Sequence, residues 1–298
     1  MDSLNLHIAG VPLFLSSSLP LLPDPFPPEY QTFCTPLPDG KDDGFQLQLV
    51  PGIPREPTWG VLVSTAKPWR LFRDGAVRRL VWDGNDPRFP LWLMELVPGA
   101  RSATVYCGPK LVVENGAGKA IKNPLHYPLD QLLMMYLLTG RGLGIVHSAG
   151  LLRGGKCIVA AGRSGAGKST LARCWAACHG ADALLSDDRM IIGCGEGGES
   201  PPKASGTPWP GELGAARNAE APLGALVFLS KAKENQLLPV TPREALERLL
   251  PLTSIPWFDA DVMPIALANL ERCVEQVPLY EFRFTPDEEA VRTLAQLG

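Results

Sequence analysis

The hydrophobic and polar positions follow two patterns, and the first covers residues 1–122. Short apolar segments alternate there with polar residues, which is typical of strands. The predicted strands are Gln46–Val50, Gly60–Ser64, Trp69–Arg73, Val77–Trp82, Thr104–Cys107 and Leu111–Glu114. Asp74-Gly75, between two of them, predicts a hairpin turn. We therefore predict a β-rich N-terminal module of antiparallel strands.

Prolines interrupt this first pattern. Ten of the 30 prolines fall between Pro20 and Pro57, including the run Pro23-Asp24-Pro25-Phe26-Pro27-Pro28. Proline fixes φ and lacks an amide hydrogen, so the run is predicted to hold neither a helix nor a central strand. We expect this stretch to be extended and packed along a surface, or partly mobile.

The second pattern, in residues 123–298, alternates strands with helices. The predicted strands are Ile145–Ala149, Cys157–Ala161, Ala183–Ser186, Leu223–Leu229 and Leu279–Phe284. Helical spacing or capping signals predict helices near Leu129–Leu137, Ser169–His179 and Asp261–Val274, and after Thr241 and Thr285. This alternation predicts an α/β core. The segment Gly193–Gly211 is rich in Gly, Pro and Ser and is predicted to be a mobile loop, of the kind that often forms a lid.

Composition and charge narrow the functional classes. The chain has 298 residues, a net charge of −3 and a pI of about 5.9, which argues against nucleic acid as a partner. No segment approaches the roughly 18 apolar residues of a membrane span, and no basic residue precedes Lys41, so neither a membrane anchor nor a secretory leader is expected. The seven cysteines include no C-x-x-C pair. We interpret them as reduced thiols of a cytoplasmic protein; the alternative is a metal pair at Cys174 and Cys178.

The strongest motif joins the strand that ends at Ala161 to the following helix. It fits G-x-x-x-x-G-K-[ST] and consists of Gly162, Arg163, Ser164, Gly165, Ala166, Gly167, Lys168 and Ser169, followed by Thr170. The glycines allow successive amides to point into one concavity, which binds the phosphates of a nucleoside triphosphate. Lys168 would add positive charge at the β- and γ-phosphates, and the Ser169 hydroxyl would ligate Mg²⁺. The alternative is an ordinary glycine-rich turn.

Two further polar features lie close to this motif in the predicted fold. Asp187 and Asp188 follow a predicted strand, whose carboxyl end should face the same crevice as the phosphate loop. One carboxylate would hold Mg²⁺ and the other would accept a proton from an attacking hydroxyl. The alternatives are a single metal-binding Asp with a bystander, or a helix-capping pair. His147, on an apolar strand, is either a core histidine or a site residue.

Together these residues resemble a known family. Three pieces occur in order: His147-Ser148-Ala149, the loop Gly162–Thr170, and Leu185-Ser186-Asp187-Asp188. They resemble the catalytic core of HPr kinase/phosphorylase, whose P-loop core is similar to that of ATP-dependent phosphoenolpyruvate carboxykinase. The segments Gly206–Glu212, Arg217-Asn218 and Val277–Phe282 resemble relatives of unassigned function. The resemblance covers about Pro128 to Leu297.

The resemblance implies an HPr kinase-type P-loop domain over residues 123–298. It implies that the loop holds ATP, that Asp187 and Asp188 handle Mg²⁺ and activate a serine hydroxyl, and that His147 lies close to the transferred phosphate. Arg217, through a looser match, is expected to bind phosphate because its planar guanidinium suits phosphate oxygens. The family's HPr-engaging segment is not found, so the resemblance does not extend to HPr as acceptor, to the phosphorylase reaction or to a hexamer.

The sequence therefore predicts a kinase that uses ATP and Mg²⁺. Asp187, Asp188, Lys168 and His147 are its candidate catalytic residues, and Ser169 and Asp187 its candidate metal ligands. The acceptor is a hydroxyl of a peptide serine, a protein or a small molecule, and a homo-oligomer is left open. The rival hypotheses are a non-catalytic ATP-sensing module that controls a partner, and a carboxykinase-like lyase.

Overall fold

The chain is a mixed α/β protein with many more strands than helices, which confirms the α/β class at this level. The computed structural model describes residues 3–22, 26–34, 44–66, 69–84, 88–116 and 118–297. Two compact units comprise residues 1–137 and 138–298. The sequence predicted a boundary after residue 122, whereas the two units divide between residues 137 and 138, within the helix Leu129–Thr139.

Unit 1 is built on an eight-stranded sheet. Its strands are β1 (Ser3–Ile8), β2 (Val11–Ser17), β3 (Phe45–Pro51), β4 (Val61–Ala66), β5 (Trp69–Asp74), β6 (Val77–Trp82), β7 (Trp92–Leu96) and β8 (Ser102–Cys107), in the order β1-β2-β3-β8-β7-β6-β5-β4. A separate two-stranded sheet consists of β9 (Val112–Asn115) and β10 (Gly118–Ile121). Helix α1 (Leu129–Thr139) follows.

The sheet of unit 1 departs from the prediction in two ways. It is not antiparallel throughout, because β3 lies between β2 and β8 and runs parallel to both. The predicted hairpin between β5 and β6 is confirmed, with Asp74 paired to Val77. The proline-rich stretch contains a 3-10 helix, Pro28–Phe33, where no helix was predicted. Proline is tolerated there because the first helical amides need no intrahelical partner. Pro23 to Pro25 lie outside the described residues.

Unit 2 contains the remaining strands and helices. The strands are β11 (Leu143–Arg153), β12 (Lys156–Ala161), β13 (Leu184–Ser186), β14 (Arg189–Gly193), β15 (Lys203–Ser205), β16 (Glu220–Lys231), β17 (Gln236–Pro239), β18 (Thr253–Ser254) and β19 (Leu279–Phe284). The helices are α2 (Lys168–His179), α3 (Pro242–Leu249), α4 (Met263–Val274) and α5 (Glu288–Leu294). No helix of the described residues is long and apolar enough to cross a membrane.

The strand directions in unit 2 bring several strand ends to one edge. The strands pair in the order β13-β11-β12-β16-β19-β17. β12, β16 and β19 are parallel, and β13 shares their direction because both β12 and β13 are antiparallel to β11. The carboxyl ends of β12, β13, β16 and β19 therefore lie at the same edge of the sheet, where α/β proteins place their ligands.

Helices cover both faces of this sheet. Trp175 of α2 and Val291 of α5 share a buried cluster with Ile158 of β12. Leu249 of α3 and Leu270 of α4 share the cluster on the other face with the next residue of that strand, Val159. Successive side chains of a strand point to opposite faces, so the apolar run of β12 is buried on both sides and rigidly supports the loop that follows it.

Two segments of unit 2 differ from the sequence prediction. The Gly193–Gly211 segment is not a single mobile loop, because β15 pairs there with β14 and β16, and Thr207 is fully buried. The last helix does not begin after Thr285. The carboxylate of Asp287 accepts the amide hydrogen of Ala290 at 2.9 Å, so Asp287 is the cap. An aspartate one residue before Glu288 can reach the first free amides, which Thr285 cannot.

The predicted capping box at the start of α3 is confirmed, and it makes helix capping testable. The Thr241 hydroxyl accepts from the Glu244 amide, and the Glu244 carboxylate accepts from the Thr241 amide. We expect Thr241→Ala to lower the free energy of unfolding by about 1 kcal/mol and Thr241→Ser to preserve it. Urea denaturation measures the difference, and equal losses in both variants would contradict the capping role.

Candidate functional site

The loop between β12 and α2 has the backbone that its glycines predict. Gly165 and Gly167 have φ angles of +79° and +106°, a region that other residues rarely adopt. A Cβ atom on Gly167 would also lie 2.7 Å from the ring of Phe284. The amide of Leu171 donates to the Gly167 carbonyl at 2.8 Å, which begins the helix directly after the loop. The loop thus leads into the amino end of a helix, which favours anions.

A cavity of about 380 Å³ opens at this loop. Residues from the loop, from the middle of β11, from the ends of β13 and β16 and from the turn after β15 line it, and most of the predicted site residues are among them. The lining residues are His147, Ser164, Gly165, Gly167, Lys168, Ser169, Thr170, Asp188, Gly211, Glu212 and Lys231. The structure therefore brings together the phosphate loop, one of the paired aspartates and the histidine.

Some predicted residues of the loop face elsewhere. Gly162, Arg163 and Ala166 line a neighbouring cavity of about 400 Å³, together with residues of β16 and α3. Asp187 and Arg217 are not among the described residues that line the cavity of about 380 Å³. The loop motif thus includes residues that line the candidate site and residues that line the neighbouring cavity.

Lys168 is held inside the loop. Its ammonium group donates to the carbonyls of Gly162 at 2.8 Å and Arg163 at 3.3 Å, and the residue is only 6% exposed. Burial lowers the pKa of Lys168 below its ordinary value; the negative charge of Asp188 opposes this shift and the positive charge of Arg189 adds to it. An anion in the cavity would stabilise the charged ammonium, since opposite charge favours the ionised form.

Asp188 and His147 form the second polar pair of the cavity. The Nδ1 atom of His147 lies 3.1 Å from the Asp188 carboxylate and 3.1 Å from the Asp188 backbone carbonyl. Both oxygens are acceptors, so we infer that Nδ1 carries the hydrogen. The Asp188 carbonyl also accepts from the Ser148 amide at 2.9 Å. The end of β13 is thereby fastened to β11, and Asp188 is fixed beside the loop.

The environment of Asp188 favours its ionised form. The hydrogen bond from His147 is the largest cause that lowers the pKa of Asp188; burial opposes it, and the charges of His147, Arg189 and Lys168 lower the pKa further. Arg189 itself is positioned by Ser254, with its Nε atom 3.6 Å from the Asp188 carboxylate. Asp188 is therefore a carboxylate at neutral pH, able to bind a cation or to accept a hydrogen bond.

Asp187 has a different environment, although it is adjacent in sequence. It is 1% exposed, and its Oδ1 atom accepts from the amides of Gly211 at 2.9 Å and Ala215 at 3.2 Å. Its Oδ2 atom accepts from the amide of Leu213 at 2.7 Å. A carboxylate has about four acceptor positions, so most of its capacity is used. Asp187 holds the turn 211–215, which brings Gly211 and Glu212 to the cavity.

Arg217 is engaged away from the cavity. Its guanidinium donates to the backbone carbonyl of Asp182, which follows α2, and its amide donates to the Leu185 carbonyl at 3.0 Å. These contacts attach the segment after the turn 211–215 to β13. The structure does not bring the guanidinium to the phosphate loop.

Glu212 and Lys231 line the cavity but were not predicted as site residues. Lys231 ends β16, whose apolar part, Leu223–Leu229, was predicted as a strand. The sequence did contain a signal for Lys231, a charged residue just after a predicted strand. Parallel strands end at the same edge of a sheet, so such a residue can reach the same cavity as the phosphate loop. Glu212 lies in a turn fixed by the distant Asp187, and nothing local in the sequence indicates its position.

A larger cavity, of about 790 Å³, lies in unit 1 and is lined by mostly apolar residues such as Ile53, Trp59 and Phe89. None of the predicted site residues lines it. The smaller cavity is the one where Lys168 and Asp188 meet the glycine-rich loop and the amino end of α2, and it is therefore the candidate functional site.

Comparison with known proteins does not assign this site. No protein-family model matches the sequence, and no curated protein matches it at a significant level.

The role of Asp187 leads to a stability prediction. We expect Asp187→Asn to lower the free energy of unfolding by about 2 kcal/mol or more, because hydrogen bonds to a buried charged acceptor are lost and an amide NH₂ faces backbone donors. Hydrogen exchange should become faster at the amides of Gly211, Leu213 and Ala215. Asp182→Asn is the matched control, because its side chain is exposed. Unchanged exchange in Asp187→Asn would contradict this role.

The contact between His147 and Asp188 leads to a titration prediction. We expect His147→Ala to raise the pKa of Asp188, because the main cause of its lowering is removed. A lowered pKa stabilises the native state above the ordinary value of 3.8, and this contribution is lost as the pH falls through the native pKa. NMR titration of the carboxyl carbon measures the shift. His179→Ala, in the last turn of α2, is the control, and equal pKa values in the two variants would refute the contact.

Proposed function

We propose that this protein is an ATP-dependent phosphotransferase that transfers the γ-phosphoryl group to a serine-type hydroxyl of a peptide, a protein or a small molecule. The observation that carries the proposal is the single cavity that Lys168 and Ser169 of the phosphate loop share with Asp188 and His147. An anion-binding loop alone would suit any nucleotide-binding protein. A carboxylate at the same cavity adds a group that can engage an acceptor hydroxyl.

We further propose that unit 2 is a P-loop core of the type found in HPr kinase/phosphorylase and in phosphoenolpyruvate carboxykinase. The support is the placement of the three sequence pieces that carry the resemblance. His147 lies on β11, the loop follows β12, and Asp188 follows β13. All three lie around one cavity. This agreement between sequence order and spatial placement is what a shared architecture requires.

The phosphate loop would bind the triphosphate of ATP. Its glycines permit a tightly curled backbone, and the amino end of α2 contributes the positive end of the helix dipole. Lys168 is already fixed within the loop by two carbonyls, so little side-chain entropy remains to be lost when phosphate oxygens bind. Burial disfavours the charged form of Lys168. The negative phosphate oxygens of a bound nucleotide would offset this by an ionic contact with the ammonium group.

The cavity also fits Mg²⁺, which prefers oxygen ligands and often keeps several water or phosphate oxygens. The Ser169 hydroxyl and the Asp188 carboxylate line the cavity and would hold the ion. No cluster of three or more His, Cys, Asp or Glu side chains suited to a metal occurs in the described parts of the chain. This agrees with an ion that is bound mainly through the nucleotide. Bound Mg²⁺ would neutralise charge on the transferring phosphoryl group.

Asp188 would also orient the acceptor. The acceptor oxygen bonds to the γ-phosphorus while the bond from that phosphorus to the β–γ bridging oxygen breaks, and the hydroxyl proton passes to the Asp188 carboxylate. A lowered pKa makes Asp188 a weak base. Phosphoryl transfer with a loose transition state depends more on positioning and electrostatics than on base strength. His147 would keep the carboxylate ionised and correctly oriented.

Two variants separate binding from transfer. We expect Lys168→Ala to weaken MgATP binding by about tenfold or more, because a charged contact to phosphate is lost. Asp188→Asn should lose phosphoryl transfer but keep MgATP binding within about threefold, because the nucleotide would supply most of the Mg²⁺ ligands and the asparagine amide oxygen could still contact the ion. Calorimetry and single-turnover assays measure the two properties. Unchanged MgATP affinity in Lys168→Ala, or full transfer in Asp188→Asn, would contradict the assignments.

The acceptor is sought by incubating wild-type protein and Asp188→Asn with MgATP and a panel of free serine, serine-containing peptides and HPr. Mass spectrometry should detect one added phosphate on an acceptor only with the wild type. Tight MgATP binding without transfer to any acceptor would favour the ATP-sensing module. Conversion of oxaloacetate to phosphoenolpyruvate would favour the carboxykinase-like lyase.

A further inference from the structure

Lys231 lines the phosphate-loop cavity, although no motif singles it out. It is the last residue of β16, and it is exposed. Its ammonium group has no hydrogen-bond or ion-pair partner among the described residues. Glu212 lines the same cavity but forms no ion pair with it. The positive charge of Lys231 is therefore available to an anion that enters the cavity.

The strand that carries Lys231 is paired with the strand that leads into the phosphate loop. β12 and β16 are parallel, and Ala161, the last residue of β12, is paired with Phe228. Lys231 lies three residues beyond Phe228 on β16, and the loop begins directly after Ala161. Ser164 and Gly165 line the same cavity. The lysine thus extends from the strand next to the one that carries the loop, and the register is rigid because both strands are buried within the sheet.

Three arginines near this edge of the sheet are already paired with carboxylates. Arg248 and Arg283 both contact the Glu281 carboxylate, at 3.3 Å and 3.1 Å. Arg189 lies 3.6 Å from the Asp188 carboxylate. Lys231 differs from these arginines because no carboxylate of the described residues neutralises it. An unpaired lysine beside a loop of backbone amides is suited to binding phosphate oxygens.

We propose that Lys231 binds the γ-phosphate of ATP as a second cation beside Lys168. This inference rests on the proposed function and gives Lys231 the phosphate-binding role that the sequence suggested for Arg217. Lys168 is confined by the loop carbonyls, whereas Lys231 is unconstrained and can follow the charge as it moves from ATP to the acceptor. The γ-phosphoryl group is the group that is transferred. A cation beside it would therefore stabilise both the bound nucleotide and the transition state.

The test compares MgATP with MgADP, which differ by the γ-phosphate. Calorimetry would measure both affinities for the wild type, Lys231→Ala, Lys231→Arg and the matched control Lys233→Ala, with circular dichroism to verify folding. We expect Lys231→Ala to weaken MgATP by about tenfold or more and MgADP by less than about threefold. Lys231→Arg and Lys233→Ala should stay within about threefold of the wild type for both nucleotides.

Three results would overturn the inference. Equal MgATP affinity in the wild type and Lys231→Ala would show that Lys231 is a solvated surface lysine. Equal losses of affinity for MgATP and MgADP in Lys231→Ala would show that the γ-phosphate is not its ligand. A wild-type protein that binds neither nucleotide would overturn the proposed function together with this inference. A wild type that binds MgATP but phosphorylates no acceptor would overturn only the proposed function, because the difference between MgATP and MgADP is read without turnover.

Discussion

The candidate site depends on one constraint, the shared direction of β12, β13, β16 and β19 in the sheet of unit 2. Each strand runs toward the same edge, so residues far apart in sequence meet where the strands end. β12 delivers the phosphate loop, the end of β13 delivers Asp188, and β16 delivers Lys231. β12, β13 and the apolar middle of β16 are buried on both faces, so they form a rigid support for the charged groups at this edge.

The two adjacent aspartates have different structural roles, since Asp187 holds a turn and Asp188 lines the cavity. Asp187 points into the protein and accepts three amide hydrogens from the turn 211–215. Asp188 points to the cavity and is kept ionised by His147. A buried carboxylate with its acceptor positions used is suited to holding a turn, whereas a partly exposed carboxylate with free acceptor positions is suited to binding a cation or a hydroxyl. The cavity beside Asp188 depends on Asp187, because the turn that Asp187 holds contributes Gly211 and Glu212 to its lining.

The sequence was most informative where the signal is local. The glycine-rich turn, its flanking strand and helix, and the capping box at Thr241 follow from neighbouring residues, and the structure contains each of these elements. The different environments of Asp187 and Asp188 could not be predicted, because the amides that engage Asp187 lie 24 to 28 residues further along the chain. The parallel pairing of β3 with β2 and β8, and the burial of β15, depend likewise on partners that no short pattern reveals. Arg217 was expected at the cavity from a looser match, and a distant carbonyl holds it elsewhere.

The most direct test of this account is a crystal structure of the protein with Mg²⁺ and a non-hydrolysable ATP analogue. We expect the β- and γ-phosphates among the backbone amides of residues 163–168, with the metal between the Ser169 hydroxyl and the Asp188 carboxylate. Asp187 should keep its contacts to the turn 211–215. A triphosphate bound outside this cavity, or a metal held by Asp187 in place of Asp188, would contradict it.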